Sequence, residues 1–95
     1  LQIPDDLRQR YLERRQNDFR DCAPHLISLD WSYFERLGHQ LKGHASSYGY
    51  DDLGDLAAKI EIHSQKRDLP RLEGCIYEFG EWLDRQIHSK DSNQE

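Results

Sequence analysis

Apolar residues recur at spacings of three and four along two long stretches of the chain. This spacing places side chains on one stripe of a helix, and it is typical of the seam of a packed helical bundle. The stripe in the C-terminal stretch consists of Leu69, Leu72, Ile76, Phe79, Leu83 and Ile87. The stripe in the central stretch consists of Phe34, Gly38, Leu41, Ala45 and Tyr48. The pattern therefore predicts helices that bury one face against each other.

Residues that start and stop helices divide the chain into four segments. Asp30 and Asp68 are good N-caps, Gly49 can close a helix in the left-handed conformation, and Pro24 is expected to end or kink the first helix. The predicted helices lie near residues 4–26, 30–48, 51–67 and 69–88. Because the connections are short, consecutive helices should be neighbours that run in opposite directions. We expect an all-α, antiparallel up-down-up-down four-helix bundle.

The chain has 95 residues, which is enough for one small domain. We expect a single domain over residues 1–95, with an ordered core at about 4–88 and a polar C-terminal tail at 89–95. Valine and methionine are absent, so strand propensity is low. Since the first residue is Leu1 and not methionine, the chain is expected to be an excised domain of a larger protein as readily as a free-standing one. The side chains predicted to form the core are Phe34, Leu41, Ala45, Ile60, Ile76 and Phe79.

Charge and composition restrict the partners. The net charge of −5, without a basic patch that contains aromatic residues, argues against nucleic-acid binding. No apolar run approaches the length of a membrane span, and no signal peptide is visible. Cys22 and Cys75 lack metal or redox spacing, so we expect buried, reduced thiols in a cytoplasmic protein, although a bridge between them stays open. A closed bundle buries its seams alone, so we expect a monomer.

One histidine points away from the central seam. At roughly 100° per residue, His39 lies about 140° from the stripe, and the same outward side carries Lys42 at i+3 and Gly43 at i+4. A neutral imidazole is a good nucleophile near pH 7, and a lysine one turn away can attract phosphoryl oxygens. An exposed glycine inside a helix costs about 1 kcal/mol relative to alanine, so Gly43 needs a reason, such as access for another protein. A solvated surface histidine is the simpler alternative.

The motif around this histidine resembles that of a known family. The chain reads Leu-Gly-His-Gln-Leu-Lys-Gly from Leu37 to Gly43, with a further glycine at Gly49. This is similar to the core motif of histidine-containing phosphotransfer (HPt) domains, and the likeness extends from about Pro4 to Ile87. His44 departs from the family pattern, which usually has a small residue there. Because His44 lies off the face of His39, we expect it to leave the motif intact.

The resemblance implies a function in a two-component phosphorelay. It implies that His39 accepts a phosphoryl group from an aspartyl phosphate of a receiver domain, that Lys42 is its phosphate-side partner, and that Glu61 lies beside the histidine. A carboxylate at Glu61 could bind the ring Nδ1–H and leave Nε2 free; the alternative is a solvent-facing helix acid. It implies a phosphoryl carrier that is not an enzyme, has no cofactor and leaves Mg²⁺ to the receiver. The expected partners are receiver domains, with a hybrid sensor kinase as a further candidate.

Three alternatives compete with this interpretation. A sensor-kinase dimerisation domain also uses a helical histidine, but the proline of its motif is replaced here by His44. Metal binding is disfavoured because no pair of the five histidines has the i, i+4 spacing of a helical zinc site. A non-catalytic helical adaptor bundle would bind receivers without phosphotransfer, and the intact motif argues against it. Acid-labile phosphate on the chain after incubation with a phosphorylated receiver would separate these possibilities.

Overall fold

Four α helices make up most of the chain in a computed structural model that describes residues 3–92, with side chains as far as residue 88. The helices are α1 (Asp5–Ile27), α2 (Trp31–His44), α3 (Asp51–Gln65) and α4 (Leu69–Ser92), and a 3₁₀ turn, Ser46–Tyr48, follows α2. The described residues contain no strand, so the predicted all-α four-helix bundle is confirmed. None of the described helices is both long enough and apolar enough to cross a membrane.

The ends of α1 and α4 differ from the prediction. Pro4 is the N-cap of α1, and Pro24 lies inside the helix, which continues to Ile27. Helix α4 continues to Ser92, beyond the predicted end at residue 88. No glycine or proline follows Ile87, so nothing in the sequence stops helix propagation there. The division into an ordered core at about 4–88 and a polar tail at 89–95 stays a prediction, and residues 93–95 lie outside the described part of the chain.

Helix α2 is shorter than predicted. It starts after Asp30, whose side chain accepts a hydrogen bond from the backbone N–H of Tyr33, as expected of an N-cap. It ends at His44 instead of residue 48, because the next turn tightens into i to i+3 bonds, including one from Tyr48 N–H to the Ala45 carbonyl at 3.1 Å. Gly49 has φ +85°, so the predicted left-handed closure is present, one 3₁₀ turn after the α helix.

The two predicted seams meet in the core. All six side chains predicted to be core are buried, and Phe79, Ile60 and Ala45 are 0% exposed. Tyr48, placed on the seam by spacing, is only half-buried, and its ring stacks on the Tyr11 ring with centroids 4.1 Å apart. Further buried side chains are Leu37, Leu53, Leu56, Ala57, Leu72, Trp82 and Leu83. The apolar periodicity therefore located the core correctly.

A buried charge in α1 was not predicted. Arg15 interrupts the apolar residues of α1 in the sequence, yet it is only 9% exposed. Its Nε donates to Asp18 Oδ2 at 2.8 Å, and its guanidinium lies 4.4 Å from the centroid of the Tyr11 ring. A buried arginine is tolerated when its charge is paired and its donors are used. Arg15 therefore belongs to the packed side of α1.

Both cysteines are free and buried, as predicted. Cys22 is 1% exposed, and burial is the main cause that raises the pKa of its thiol to about 12. Burial also raises the pKa of the Cys75 thiol. Since the thiolate is the reactive form, burial lowers the reactivity of both thiols.

Helices α2 and α3 approach each other most closely at Gly38. A Cβ added to Gly38 would lie 2.7 Å from the Ala57 carbonyl oxygen and 2.7 Å from the Glu61 backbone nitrogen. Just past the C-terminal end of α2, the Ala45 Cβ lies 3.9 Å from the Cβ position of Gly54. Residue numbers thus fall along α3 as they rise along α2, so these two helices are antiparallel. The up-down-up-down order of the whole bundle stays a prediction.

Candidate functional site

His39 lies on the outward face of α2, in the direction that the helical angle predicts. Its side chain is 73% exposed, which is far above that of its seam neighbours. Gly43, one turn further, has no heavy atom within 4 Å of the position where a Cβ would stand. The ring therefore stands in open solvent, with a bare stretch of backbone on its C-terminal side. Another protein could approach it from that side.

Glu61 reaches across from α3 and contacts two residues of α2. One carboxylate oxygen, Oε2, lies 3.2 Å from His39 Nδ1, and the other, Oε1, accepts a hydrogen bond from Lys42 Nζ at 2.7 Å. The Glu61 side chain is 15% exposed, against 47% for Lys42. The structure therefore brings together the four residues singled out in the sequence: His39, Lys42, Gly43 and Glu61. The solvent-facing alternative for Glu61 does not describe this geometry.

The negative charge of Glu61 determines which ring nitrogen of His39 carries the hydrogen. The hydrogen bond from Lys42 is the main cause that lowers the pKa of the Glu61 carboxyl, and partial burial opposes this effect. The carboxyl is thus ionised at neutral pH and can only accept hydrogen bonds. Its bond to His39 then requires hydrogen on Nδ1, so the lone pair of the neutral ring lies on Nε2. This tautomer follows from the hydrogen-bond pattern.

Lys42 points at Glu61. The sequence suggested that its charge meets phosphoryl oxygens directly, whereas here its shortest polar contact is the carboxylate at 2.7 Å. An ammonium group has three donors, so a bond to Glu61 leaves donor capacity for a second acceptor. Because its side chain is 47% exposed, an incoming group can reach it.

His44 makes a contact that the sequence did not indicate. Its Nδ1 lies 2.9 Å from the hydroxyl of Tyr11 on α1, and the two rings meet edge to face with centroids 5.4 Å apart. Burial, followed by the positive charge of Arg15, lowers the pKa of His44, and Asp18 opposes this shift. The neutral form of His44 is thus favoured, and its ring shares a hydrogen bond with the Tyr11 hydroxyl. Helical spacing placed it away from His39, but could not show its partner on another helix.

The described residues were compared with the ligand sets that metal ions need. Within the part of the chain that the structure describes, no group of three or more His, Cys, Asp and Glu side chains could hold a metal ion. At His39 the arrangement consists of one exposed nucleophile, one carboxylate and one ammonium group. Such an arrangement can orient an imidazole and balance the charge of a group added to it.

Comparison with known proteins gives one match. The family model described as Hpt domain matches residues 6–88, which run from the second residue of α1 into α4 and end where side chains are last described. Searches of the curated proteins and of the solved structures gave no match. The matched range contains His39 and Glu61, so the site described above lies inside the region of family likeness.

Proposed function

The chain belongs to the Hpt domain family, and we propose that His39 is the residue that takes up a phosphoryl group from a receiver domain and passes it on. Hpt domains are phosphocarrier modules of phosphorelays, so a role in histidine phosphotransfer follows from the family itself. The donor, the acceptor and the reacting atom are the further parts of this proposal. They rest on the geometry at His39.

A single observation supports His39 most strongly. Its Nδ1 is bound to Glu61 while the ring is 73% exposed, so the free lone pair of Nε2 faces solvent. A nucleophile that must reach into another protein needs both properties, a defined lone pair and an open approach. His44, on the same helix, has its Nδ1 on Tyr11 and is half-buried.

The proposed step transfers one phosphoryl group. The Nε2 lone pair attacks the phosphorus of an aspartyl phosphate, the N–P bond forms, and the acyl P–O bond breaks to release the aspartate carboxylate of the receiver. Because Nδ1 keeps its hydrogen, the phosphorylated ring carries a positive charge, and Glu61 lies 3.2 Å away to balance it. Transfer onward reverses these bonds with a second receiver.

Lys42 and Gly43 serve the incoming group. Lys42 Nζ holds Glu61 with one donor and can offer another to a phosphoryl oxygen, which stabilises charge in the transition state. Gly43 leaves space for the loop of the receiver that carries the aspartyl phosphate. Mg²⁺ is expected on the receiver, since Glu61 is already neutralised by Lys42. The protein would then act as a monomeric carrier without kinase activity in the cytoplasm, with a hybrid sensor kinase as one source of phosphate.

Transfer of labelled phosphate from phosphorylated receivers tests this proposal. We expect wild type to acquire acid-labile label, His39→Gln to acquire none, and His44→Gln to match wild type within about threefold. The last variant controls for the loss of a histidine from α2, and unfolding curves check that each variant is folded. Equal labelling of wild type and His39→Gln would refute His39 as the acceptor. Receiver binding without label on wild type would favour the adaptor function.

A further inference from the structure

Gly38 directly precedes the proposed phosphoacceptor and faces α3, about 100° around α2 from the exposed His39 ring. We propose that Gly38 is a positioning residue for the phosphotransfer site: its missing side chain lets α3 come close enough for Glu61 to reach His39. This inference rests on the proposed function, because it concerns how the nucleophile is oriented. It assigns a chemical consequence to a residue that helix packing alone would otherwise explain.

The space at Gly38 is closed by backbone atoms. A Cβ there would lie 2.7 Å from the Ala57 carbonyl oxygen, 2.7 Å from the Glu61 nitrogen and 3.0 Å from the Glu61 Cα. A backbone obstacle cannot rotate away as a side chain can, so the two helices must separate. Two of the three atoms belong to Glu61 itself. Any separation therefore moves the residue whose carboxylate binds His39.

The hydrogen bond between His39 and Glu61 is already long. Nδ1 and Oε2 are 3.2 Å apart, which is at the long end of the range for N–H···O bonds. Restoring an ordinary contact at Gly38 requires about 0.5–1 Å of separation between α2 and α3. The same displacement would carry the Nδ1–Oε2 distance beyond a hydrogen bond.

The consequence is a specific tautomer of His39. With Glu61 in reach, hydrogen stays on Nδ1 and the lone pair of the neutral ring lies on Nε2. Without it, the ring adopts the mixture of tautomers of a free imidazole, and part of the population carries hydrogen on the atom that must attack. The distance between α2 and α3 thus determines which ring nitrogen of His39 carries the hydrogen.

Ring-nitrogen NMR on the unphosphorylated protein tests this inference at alkaline pH, where imidazoles are neutral. We expect wild type to hold hydrogen on Nδ1 of His39, and Gly38→Ala and Glu61→Ala both to shift toward the free-imidazole mixture. Gly54→Ala is the matched control, since it adds the same methyl to α3 next to the end of α2, at an ordinary 3.9 Å from the Ala45 Cβ. It should keep the wild-type tautomer.

Transfer kinetics give the second readout. Gly38→Ala and Glu61→Ala should each slow phosphotransfer about tenfold, the loss expected for one charge-assisted hydrogen bond. The double variant should be no slower than either single variant, because both remove the same contact. A purely structural glycine would instead give additive losses and leave the tautomer unchanged.

Several outcomes overturn the inference. Wild-type tautomer in Gly38→Ala would do so, and so would the same shift in Gly54→Ala. If Gly38→Ala does not fold, Glu61→Asp decides, since it keeps the α2–α3 contact but shortens the side chain by one methylene. If His39 loses the Nδ1 tautomer in Glu61→Asp, the bond tolerates little extra distance, as proposed. If His39 keeps this tautomer, the proposal is contradicted. The NMR result does not depend on transfer, so a failure of His39 as acceptor would be seen separately.

Discussion

Two histidines five residues apart on α2 have opposite surroundings. The His39 ring is 73% exposed and contacts a carboxylate, whereas His44 is half-buried and contacts the phenol of Tyr11. In both rings Nδ1 makes the contact, but the partners differ: the Glu61 carboxylate accepts from His39, whereas the Tyr11 hydroxyl shares a neutral hydrogen bond with His44. The first arrangement leaves Nε2 free for chemistry, and the second joins α1 to α2. The residue on the neighbouring helix therefore determines the surroundings of each histidine ring.

Removal of Lys42 should have the largest effect, because it should slow transfer at His39 while leaving the contact of His44 unchanged. Lys42→Ala takes away a donor for phosphoryl oxygens and the counter-charge of Glu61, so transfer should slow about 10- to 100-fold without stopping. The nucleophile remains, and the Tyr11–His44 contact is untouched. The measurement is the rate of label transfer from a receiver. Lys59→Ala, which removes an exposed lysine of α3, is the control and should be near wild type; equal losses in both variants would refute a local role.

The open space at Gly43 predicts that a larger side chain there weakens receiver binding. A leucine at Gly43 should weaken receiver binding about tenfold by filling the approach to His39. The fold should be as stable as wild type or up to about 1 kcal/mol more stable, since leucine is the better helix former. Gly74→Leu is a matched control, because Gly74 is also exposed with no heavy atom within 4 Å of its Cβ position, but lies on α4. Receiver affinity that falls equally in both variants would contradict the assignment of this face.

Tyr11→Phe should show that His44 serves stability and not transfer. Loss of the 2.9 Å hydrogen bond should lower the free energy of unfolding by about 1 kcal/mol, measured by urea denaturation. The phosphotransfer rate should stay within about twofold of wild type. A larger effect on transfer than on stability would show that the Tyr11–His44 pair takes part in the reaction.

The smallest expected effect is on how the stability of wild type and of His44→Gln depends on pH. The pKa of His44 is lowered in the folded protein, so below an ordinary histidine pKa of about 6.5 the unfolded chain binds the proton more readily. Stability is unaffected by this group at alkaline pH and falls as the pH drops through this window. His44→Gln removes this contribution while the other four histidines remain. Its loss of unfolding free energy between pH 8 and pH 5 should be smaller than that of wild type; equal losses would contradict the assignment.

The sequence predicted what depends on one helix at a time. Apolar spacing located the core residues, and the angle of His39 from the seam predicted its exposure. Asp30 as N-cap and Gly49 as the left-handed residue were also read correctly, because their chemistry is local. The end of α2 at His44 was missed, since a 3₁₀ turn and an α turn have similar sequence preferences over so few residues.

Contacts between helices could not be predicted in the same way. Spacing left Glu61 equally compatible with solvent and with the site, because its position depends on how closely α3 approaches Gly38. The Tyr11–His44 pair joins residues 33 positions apart, and nothing local to either residue signals the other. Arg15 looked like an interruption of an apolar face until Asp18 and the Tyr11 ring supplied its partners. Distances across helices, and not residue types, decided these cases.

Locating the N–P bond in the phosphorylated protein tests the central claim most directly. Phosphorus–nitrogen couplings, measured on chain labelled at its histidine ring nitrogens and phosphorylated by a receiver, identify the bonded atom. We predict a single bond to Nε2 of His39, with hydrogen retained on Nδ1 opposite Glu61. A bond to Nδ1 of His39, or to either ring nitrogen of His44, would contradict the account.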